Sequence, residues 1–87
     1  MDKMIFEKVT ELVENCNKEL ERNIEAGDRI VEDLGFDSIQ LINLQVTLED
    51  TFDFMFDPID DDFSVIFYNI DSICKYLEGK KGTGNVL

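Results

Sequence analysis

The sequence contains no histidine or tryptophan, and it has only one proline and two cysteines among its 87 residues. Without histidine the chain cannot form a Ser-His-Asp or Cys-His nucleophile. A zinc site would have only carboxylates and the distant Cys16 and Cys74 as ligands. There is also no glycine-rich phosphate-binding loop. These absences predict a protein that is not an enzyme and that has no specific metal site.

Positive charge is missing from the middle of the chain. Residues 30–74 contain no Lys or Arg but carry eleven acidic residues, and the whole chain has a net charge of −12. Such a region repels nucleic acid and anionic membranes, and it attracts basic protein surfaces. The same acidity also suits a solvated face that only keeps the protein soluble. The charge pattern therefore excludes nucleic acid and membranes as partners and leaves basic proteins.

The N-terminus lacks the features of a targeting segment. Asp2, Lys3 and Glu7 interrupt its apolar residues, and no part of the chain reaches the apolar length of a membrane span. Cys16 and Cys74 do not have metal-binding spacing, so the simplest interpretation is a cytoplasmic protein with reduced, buried thiols. A Cys16–Cys74 disulfide is the alternative.

Apolar residues recur at helical spacing in a chain with few turn signals, which predicts an all-α fold. We expect a small four-helix bundle with three longer helices, one short helix, and a long loop between the first and second helices. The predicted helical segments are residues 2–17, 38–53, 59–67 and 70–77.

The long loop and the C-terminus carry two further expectations. A loop as long as residues 18–37 is usually held by its own side chains, here Leu20, Ile24, Ile30, Val31 and Leu34. Gly79 is expected to end the last helix. Residues 1–79 would then form a single domain, followed by a disordered tail over residues 80–87.

The second helix has apolar residues on two sides. Leu41, Leu44, Leu48 and Phe52 share one side at 100° per residue. A second set, Ile39, Ile42 and Val46, lies more than a quarter turn away, beside the acidic Glu49 and Asp50. Either the helix is buried on two sides, or the second set is a partner-binding surface with an acidic rim.

The stretch Asp33-Leu34-Gly35-Phe36-Asp37-Ser38 leads into this helix. Gly35 is suited to a tight turn, and either Asp37 or Ser38 can cap the helix. A serine in this place is most often only a cap. It is also well placed to carry a phosphodiester, because the free N–H groups and the helix dipole favour an anion there. Another enzyme would have to attach that group, since no histidine activates Ser38.

The segment from Glu32 to Ile39, together with the following acidic helix that ends Leu48-Glu49-Asp50-Thr51-Phe52, resembles the acyl carrier proteins. The resemblance extends over residues 2–78. It implies that Ser38 carries 4′-phosphopantetheine, transferred from coenzyme A by a phosphopantetheinyl transferase. It also implies that Asp37 helps to hold the magnesium of that transferase.

The resemblance further implies a discrete, monomeric carrier of acyl or aminoacyl groups, held as thioesters on the phosphopantetheine thiol. Loading and condensing enzymes with basic docking surfaces would be its partners, in fatty-acid, polyketide or other specialised biosynthesis. Ile39, Ile42 and Val46 match the apolar contacts of the family's recognition helix, and Glu49 and Asp50 match its acidic contacts.

The sequence departs from the commonest fatty-acid carriers in three places. Asn43 stands where they commonly have Glu, Gln40 and Leu41 replace residues that differ in those carriers, and the stretch between Phe56 and Asn69 is a few residues longer. Two other functions compete with the carrier. One is an unmodified acidic helical adaptor that binds a basic protein through the second helix. The other is a calcium-binding protein that uses Asp57 to Asp62, although these residues lack the spacing of an EF-hand loop.

Overall fold

A computed structural model describes the backbone of residues 3–20 and 23–84 and the side chains of residues 3–20 and 23–80. The described residues form four helices: α1 (Lys3–Cys16), α2 (Ser38–Phe52), α3 (Phe63–Ile66) and α4 (Ile70–Gly84). They contain no β-strand, only an isolated bridge between Arg29 and Asn69. The predicted all-α bundle of three longer helices and one short helix is confirmed. No helix in these residues is long and apolar enough to cross a membrane.

The core lies where α1 packs against α2 and α4. Helix α1 contributes Ile5, Val9, Leu12 and Val13, all of them buried, which is the face that its helical periodicity predicts. Leu44 and Leu48 of α2 meet this face, and Ile70, Ile73, Cys74 and Leu77 come from α4.

The loop between α1 and α2 is held by both side chains and backbone. Ile30 and Leu34 are buried in the core, and Leu20 and Ile24 pack against it. The N–H of Ile30 donates to the carbonyl of Tyr68, 3.1 Å away, which joins the loop to the segment before α4. The prediction was wrong for Val31, which is exposed, because the turn that buries Ile30 and Leu34 directs the three residues between them outward.

The segment between α2 and α3 closes the bundle with aromatic rings. Phe56 is buried, and its ring lies 5.2 Å from that of Tyr76 and 5.5 Å from those of Phe63 and Phe67. The hydroxyl of Tyr76 donates to Asp61 at 2.8 Å. Burial and this hydrogen bond raise the pKa of Tyr76 well above its usual range. This segment is therefore anchored to α4.

Helix α4 begins as predicted and ends later than predicted. The Asn69 side chain accepts from the N–H of Ser72 at 2.7 Å, which caps the helix. The expected end near Leu77 is wrong, because the helix continues to Gly84. Gly79 does not take the positive φ of a helix-ending glycine, so it does not stop the helix. The division into a domain and a disordered tail remains a prediction, and residues 85–87 lie outside those described.

Both described cysteines have free thiols, so the alternative of a Cys16–Cys74 disulfide is not realised. Cys74 is fully buried in the core and Cys16 is half-buried. Partial burial raises the pKa of Cys16, and a hydrogen bond with Thr47 opposes that shift. The raised pKa keeps Cys16 in its neutral form, which is the less reactive one.

Candidate functional site

A compact turn places the start of α2. The N–H groups of Asp33 and Leu34 both donate to the carbonyl of Arg29, at 3.0 and 3.1 Å. Gly35 then takes a φ of 70°, which side-chain-bearing residues rarely adopt, and Phe36 is buried behind it. This glycine lets the chain reverse direction, so that Phe36 enters the core and Asp37 and Ser38 emerge at the surface.

Arg29 fixes this turn with its side chain as well as its carbonyl. Its Nε and Nη2 atoms donate to the Asp33 carboxylate at 3.1 and 3.3 Å, and Nη1 pairs with Glu32. Asp33 raises the pKa of Arg29 through the hydrogen bond and its charge. The sequence reasoning missed this contact. The four-residue spacing of Arg29 and Asp33 could have indicated it.

Asp37, and not Ser38, caps α2. The Asp37 Oδ1 atom accepts from the Gln40 N–H at 2.8 Å, and the Gln40 side chain accepts from the Asp37 N–H at 2.9 Å. This reciprocal pair is a capping box. Ser38 is therefore the first residue of the helix, and its side chain is not needed to begin it.

The three serines of the chain differ in how their hydroxyl groups are used. Ser64 donates to the Asp62 carboxylate at 2.6 Å. Ser72 donates to the carbonyls of Ile66 and Asn69, each at 2.8 Å. Ser38 is exposed, and its hydroxyl makes no hydrogen bond with any residue that the structure describes. Ser64 is exposed as well, so what distinguishes Ser38 is an exposed hydroxyl that is not already hydrogen-bonded.

The start of α2 fits an attached phosphodiester. The first N–H within the helix to reach a backbone carbonyl is that of Leu41, which donates to Asp37 at 2.9 Å. The N–H groups of Ser38 and Ile39 precede it and have no partner among the described residues, as is usual in a first helical turn. They can therefore face an anion on Ser38, and the positive end of the helix dipole adds to this preference.

The two apolar sides of α2 have different environments. Leu44 and Leu48 are 0% exposed in the core. Ile39, Ile42 and Val46, hereafter the α2 strip, are 70%, 59% and 55% exposed. The alternative in which α2 is buried on two sides is wrong, since no described part of the chain covers the strip. The strip begins directly after Ser38 and follows α2 away from it.

Glu49 and Asp50, which the sequence pairs as partner contacts, have different surroundings. The Glu49 carboxylate accepts from the N–H of the buried Phe56 at 2.8 Å, so it holds the chain that leaves α2. Asp50 is exposed. Of the two, Asp50 is the one that is free to face a partner, while Glu49 also supports the fold.

A cleft lies beside the first turns of α2. Its volume is about 270 Å³, and Leu41, Phe63, Phe67 and Tyr68 form part of its wall, together with Arg29. Leu41 is three residues from Ser38, so the cleft lies within one helical turn of it along α2. A small apolar group fits such a space, since benzene occupies an engineered cavity of about 150 Å³.

The acidic residues after α2 stabilise backbone turns with their carboxylates. Oδ1 of Asp57 accepts from the N–H groups of Ile59 and Asp60, at 2.8 and 3.2 Å. These backbone hydrogen bonds lower the pKa of Asp57. The described residues include no group of three or more His, Cys, Asp or Glu side chains that could hold a metal ion. The calcium-binding interpretation of Asp57 to Asp62 therefore gains no support from the geometry.

Comparison with known proteins identifies the family. No curated protein matches the sequence. The model of the family described as "Phosphopantetheine attachment site" matches residues 8–65, which include most of α1, the turn before Ser38, all of α2 and most of α3. That family attaches its cofactor, 4′-phosphopantetheine, covalently to a serine. Because the match extends over more than half of the chain, the protein belongs to the phosphopantetheine attachment site family and is a carrier of that group.

Proposed function

We propose that Ser38 is the attachment site, and that the protein carries acyl or aminoacyl groups on the attached arm and presents them to partner enzymes. The observation that supports this most strongly is the state of the Ser38 hydroxyl. It is exposed at the first position of a 15-residue helix, while the neighbouring Asp37 takes over the capping role. The oxygen is thus accessible, and the helix start favours the phosphodiester once it is formed.

Ser64 is the only other serine within the matched residues, and its setting argues against it. Its hydroxyl is hydrogen-bonded to Asp62, which caps α3. Helix α3 has four residues, so its dipole is small compared with that of α2.

The residues around Ser38 have separate roles in this proposal. Asp37 uses Oδ1 as the helix cap, and its other oxygen is left for the magnesium ion that a transferase brings. The N–H groups of Ser38 and Ile39 face the phosphodiester. When attached, the phosphopantetheine arm supplies the thiol that holds the cargo as a thioester. The sequence has no histidine that could activate a nucleophile, so we propose a carrier that is not an enzyme.

The α2 strip supports a docking role beside Ser38. An exposed apolar strip next to Asp50, in a region without basic residues, suits partner surfaces that have an apolar centre and a basic rim. We propose transferase, loading and condensing enzymes as the partners, in fatty-acid, polyketide or other specialised biosynthesis. Cytoplasmic location and a monomeric state remain predictions from the sequence.

Loading by a broad-specificity phosphopantetheinyl transferase tests the attachment site. With coenzyme A present, mass spectrometry should show the addition of one phosphopantetheine group to the wild-type chain. Ser38→Ala should abolish the addition. Ser64→Ala should still be loaded and serves as the matched control. Loading of Ser38→Ala, or no loading of the wild type by several transferases, would overturn the proposal.

The exposed strip also suits the second candidate, an unmodified adaptor that binds a basic protein through α2. The two functions differ in their need for the hydroxyl of Ser38. Complementation in the source cell separates them: an adaptor would keep its function in Ser38→Ala and lose it in Ile42→Asp, whereas a carrier would lose its function in Ser38→Ala.

A further inference from the structure

The segment that leaves α2 displays two large apolar side chains to solvent. Met55 is 80% exposed and Ile59 is 90% exposed, the highest values among the large hydrophobic residues that the structure describes. They lie beyond the C-terminal end of α2, whereas Ser38 lies at its start. The 15 residues of α2 make it about 22 Å long, so Met55, three residues past its last residue, lies near the end of α2 that is opposite Ser38.

The backbone that carries Met55 and Ile59 is held in place on both sides. Phe54 and Phe56 flank Met55 in sequence and pack into the aromatic cluster, and the Phe56 N–H is bound by Glu49. On either side of Ile59, the Asp57 N–H donates to the Asp61 carboxylate at 2.6 Å, and the Asp61 N–H donates to the Asp57 carbonyl at 2.9 Å. The two exposed side chains are therefore presented from an ordered backbone, which lowers the entropy cost of binding.

Acidic residues are close to this pair in the sequence. Asp53, Asp57 and Asp60 are exposed in the same segment, and no basic residue occurs between positions 30 and 74. An apolar centre with a charged rim is the usual arrangement of a protein interface. The charge of the rim selects a partner of opposite sign.

We propose that Met55 and Ile59, with Asp53, Asp57 and Asp60 around them, form a second docking surface. The proposed occupant is a protein segment whose apolar side chains are bordered by Lys and Arg. A second copy of this chain does not suit the site, since each copy has a net charge of −12 and the acidic rims would repel each other.

A synthetic amphipathic helix with Leu on one face and Lys on the other reproduces the chemistry of this occupant. Titrated into the full chain at low salt, the peptide should shift the methyl NMR signals of Met55 and Ile59 in a saturable way. The double variant Met55→Ser/Ile59→Ser should bind the peptide at least tenfold more weakly. Met4→Ser removes an equally exposed methionine, 78% accessible, from α1 and should bind like the wild type.

Three results would overturn the proposal: peptide shifts confined to the α2 strip, equal affinity of the double variant and wild type, or self-association through Met55 and Ile59 without peptide. The inference does not depend on the attachment at Ser38. Transferase loading of the same variants distinguishes a failure of the docking inference from a failure of the proposed function. A wild type that binds the peptide but is never loaded contradicts only the proposed function. A double variant that loads normally also shows that it is folded.

Discussion

The two sides of α2 contain the same kind of residue, but the chain covers only one of them. Leu44 and Leu48 are completely buried in the core, on the side of α2 that packs against α1, whereas more than half of the surface of Ile39, Ile42 and Val46 is open to solvent. The fold needs one apolar side to seat the helix. The second side adds nothing to the core, and its position directly after Ser38 suggests that it serves binding. The comparison predicts that substitutions on the buried side change the stability of the fold, whereas substitutions on the exposed side change partner binding.

The largest effect is expected from truncating the buried side. Leu48→Ala should lower the free energy of unfolding by about 2–5 kcal/mol, because it removes buried methyl groups and leaves a cavity. Val46→Ala, two residues away on the α2 strip, should change it by less than about 0.5 kcal/mol. Urea denaturation followed by circular dichroism measures both. A comparable loss in the two variants would show that the strip is covered after all.

A charge on the exposed side should affect recognition instead of stability. Ile42→Asp should lower kcat/KM for transferase loading about thirtyfold, equivalent to about 2 kcal/mol, because an apolar contact would be replaced by a carboxylate that must lose its water. Its melting temperature should stay near that of the wild type. Met4→Asp places the same charge at an even more exposed apolar residue, on α1, and provides the control. Equal losses in both variants would point to net charge as the cause, and the strip would then have no special role.

Glu49 and Asp50 test whether the acidic rim of the strip has one role or two. Glu49→Ala should cost about 1.5 kcal/mol of stability, since the N–H of the buried Phe56 loses a charged acceptor. Asp50→Ala should change stability by less than about 0.5 kcal/mol. Thermal unfolding of the pair gives the comparison, and Glu49→Gln should recover part of the loss because its amide oxygen can still accept. If Glu49→Ala is as stable as Asp50→Ala, the hydrogen bond to Phe56 contributes nothing.

The sequence was sufficient for the existence of the four helices, but not for their ends or for what covers them. The third helix, predicted over residues 59–67, spans only Phe63–Ile66, because Asp57 and Asp61 hold the residues before it in a turn. Periodicity separated Leu44 and Leu48 from the α2 strip, because the angle between side chains depends only on helix geometry. It could not say whether the strip would be buried, since that depends on what the rest of the chain places opposite. The end of α4 was misjudged for a local reason: a glycine permits the left-handed turn that ends a helix without requiring it.

For the candidate site, the sequence likewise identified the residues but not all of their roles. Ser38 and Asp37 were identified from the short motif, but their division of roles was open because both residue types cap helices well. Only the reciprocal bonds between Asp37 and Gln40 decide it. The contact from Glu49 to Phe56 and the exposure of Met55 and Ile59 depend on how the chain turns after α2. That turn is set by packing of the aromatic cluster, which no local pattern encodes.

The smallest expected effects lie at the start of α2, and they test this division of roles. Asp37→Ala should cost about 1 kcal/mol of stability because the helix loses its cap, whereas Ser38→Ala should cost less than about 0.5 kcal/mol. Asp37→Asn keeps a capping oxygen and should unfold like the wild type. Its rate of transferase loading should still fall, because an amide is a weaker magnesium ligand than a carboxylate. If Ser38→Ala is the less stable of the two alanine variants, Ser38 is the cap, and the strongest argument for its role as an attachment site is lost.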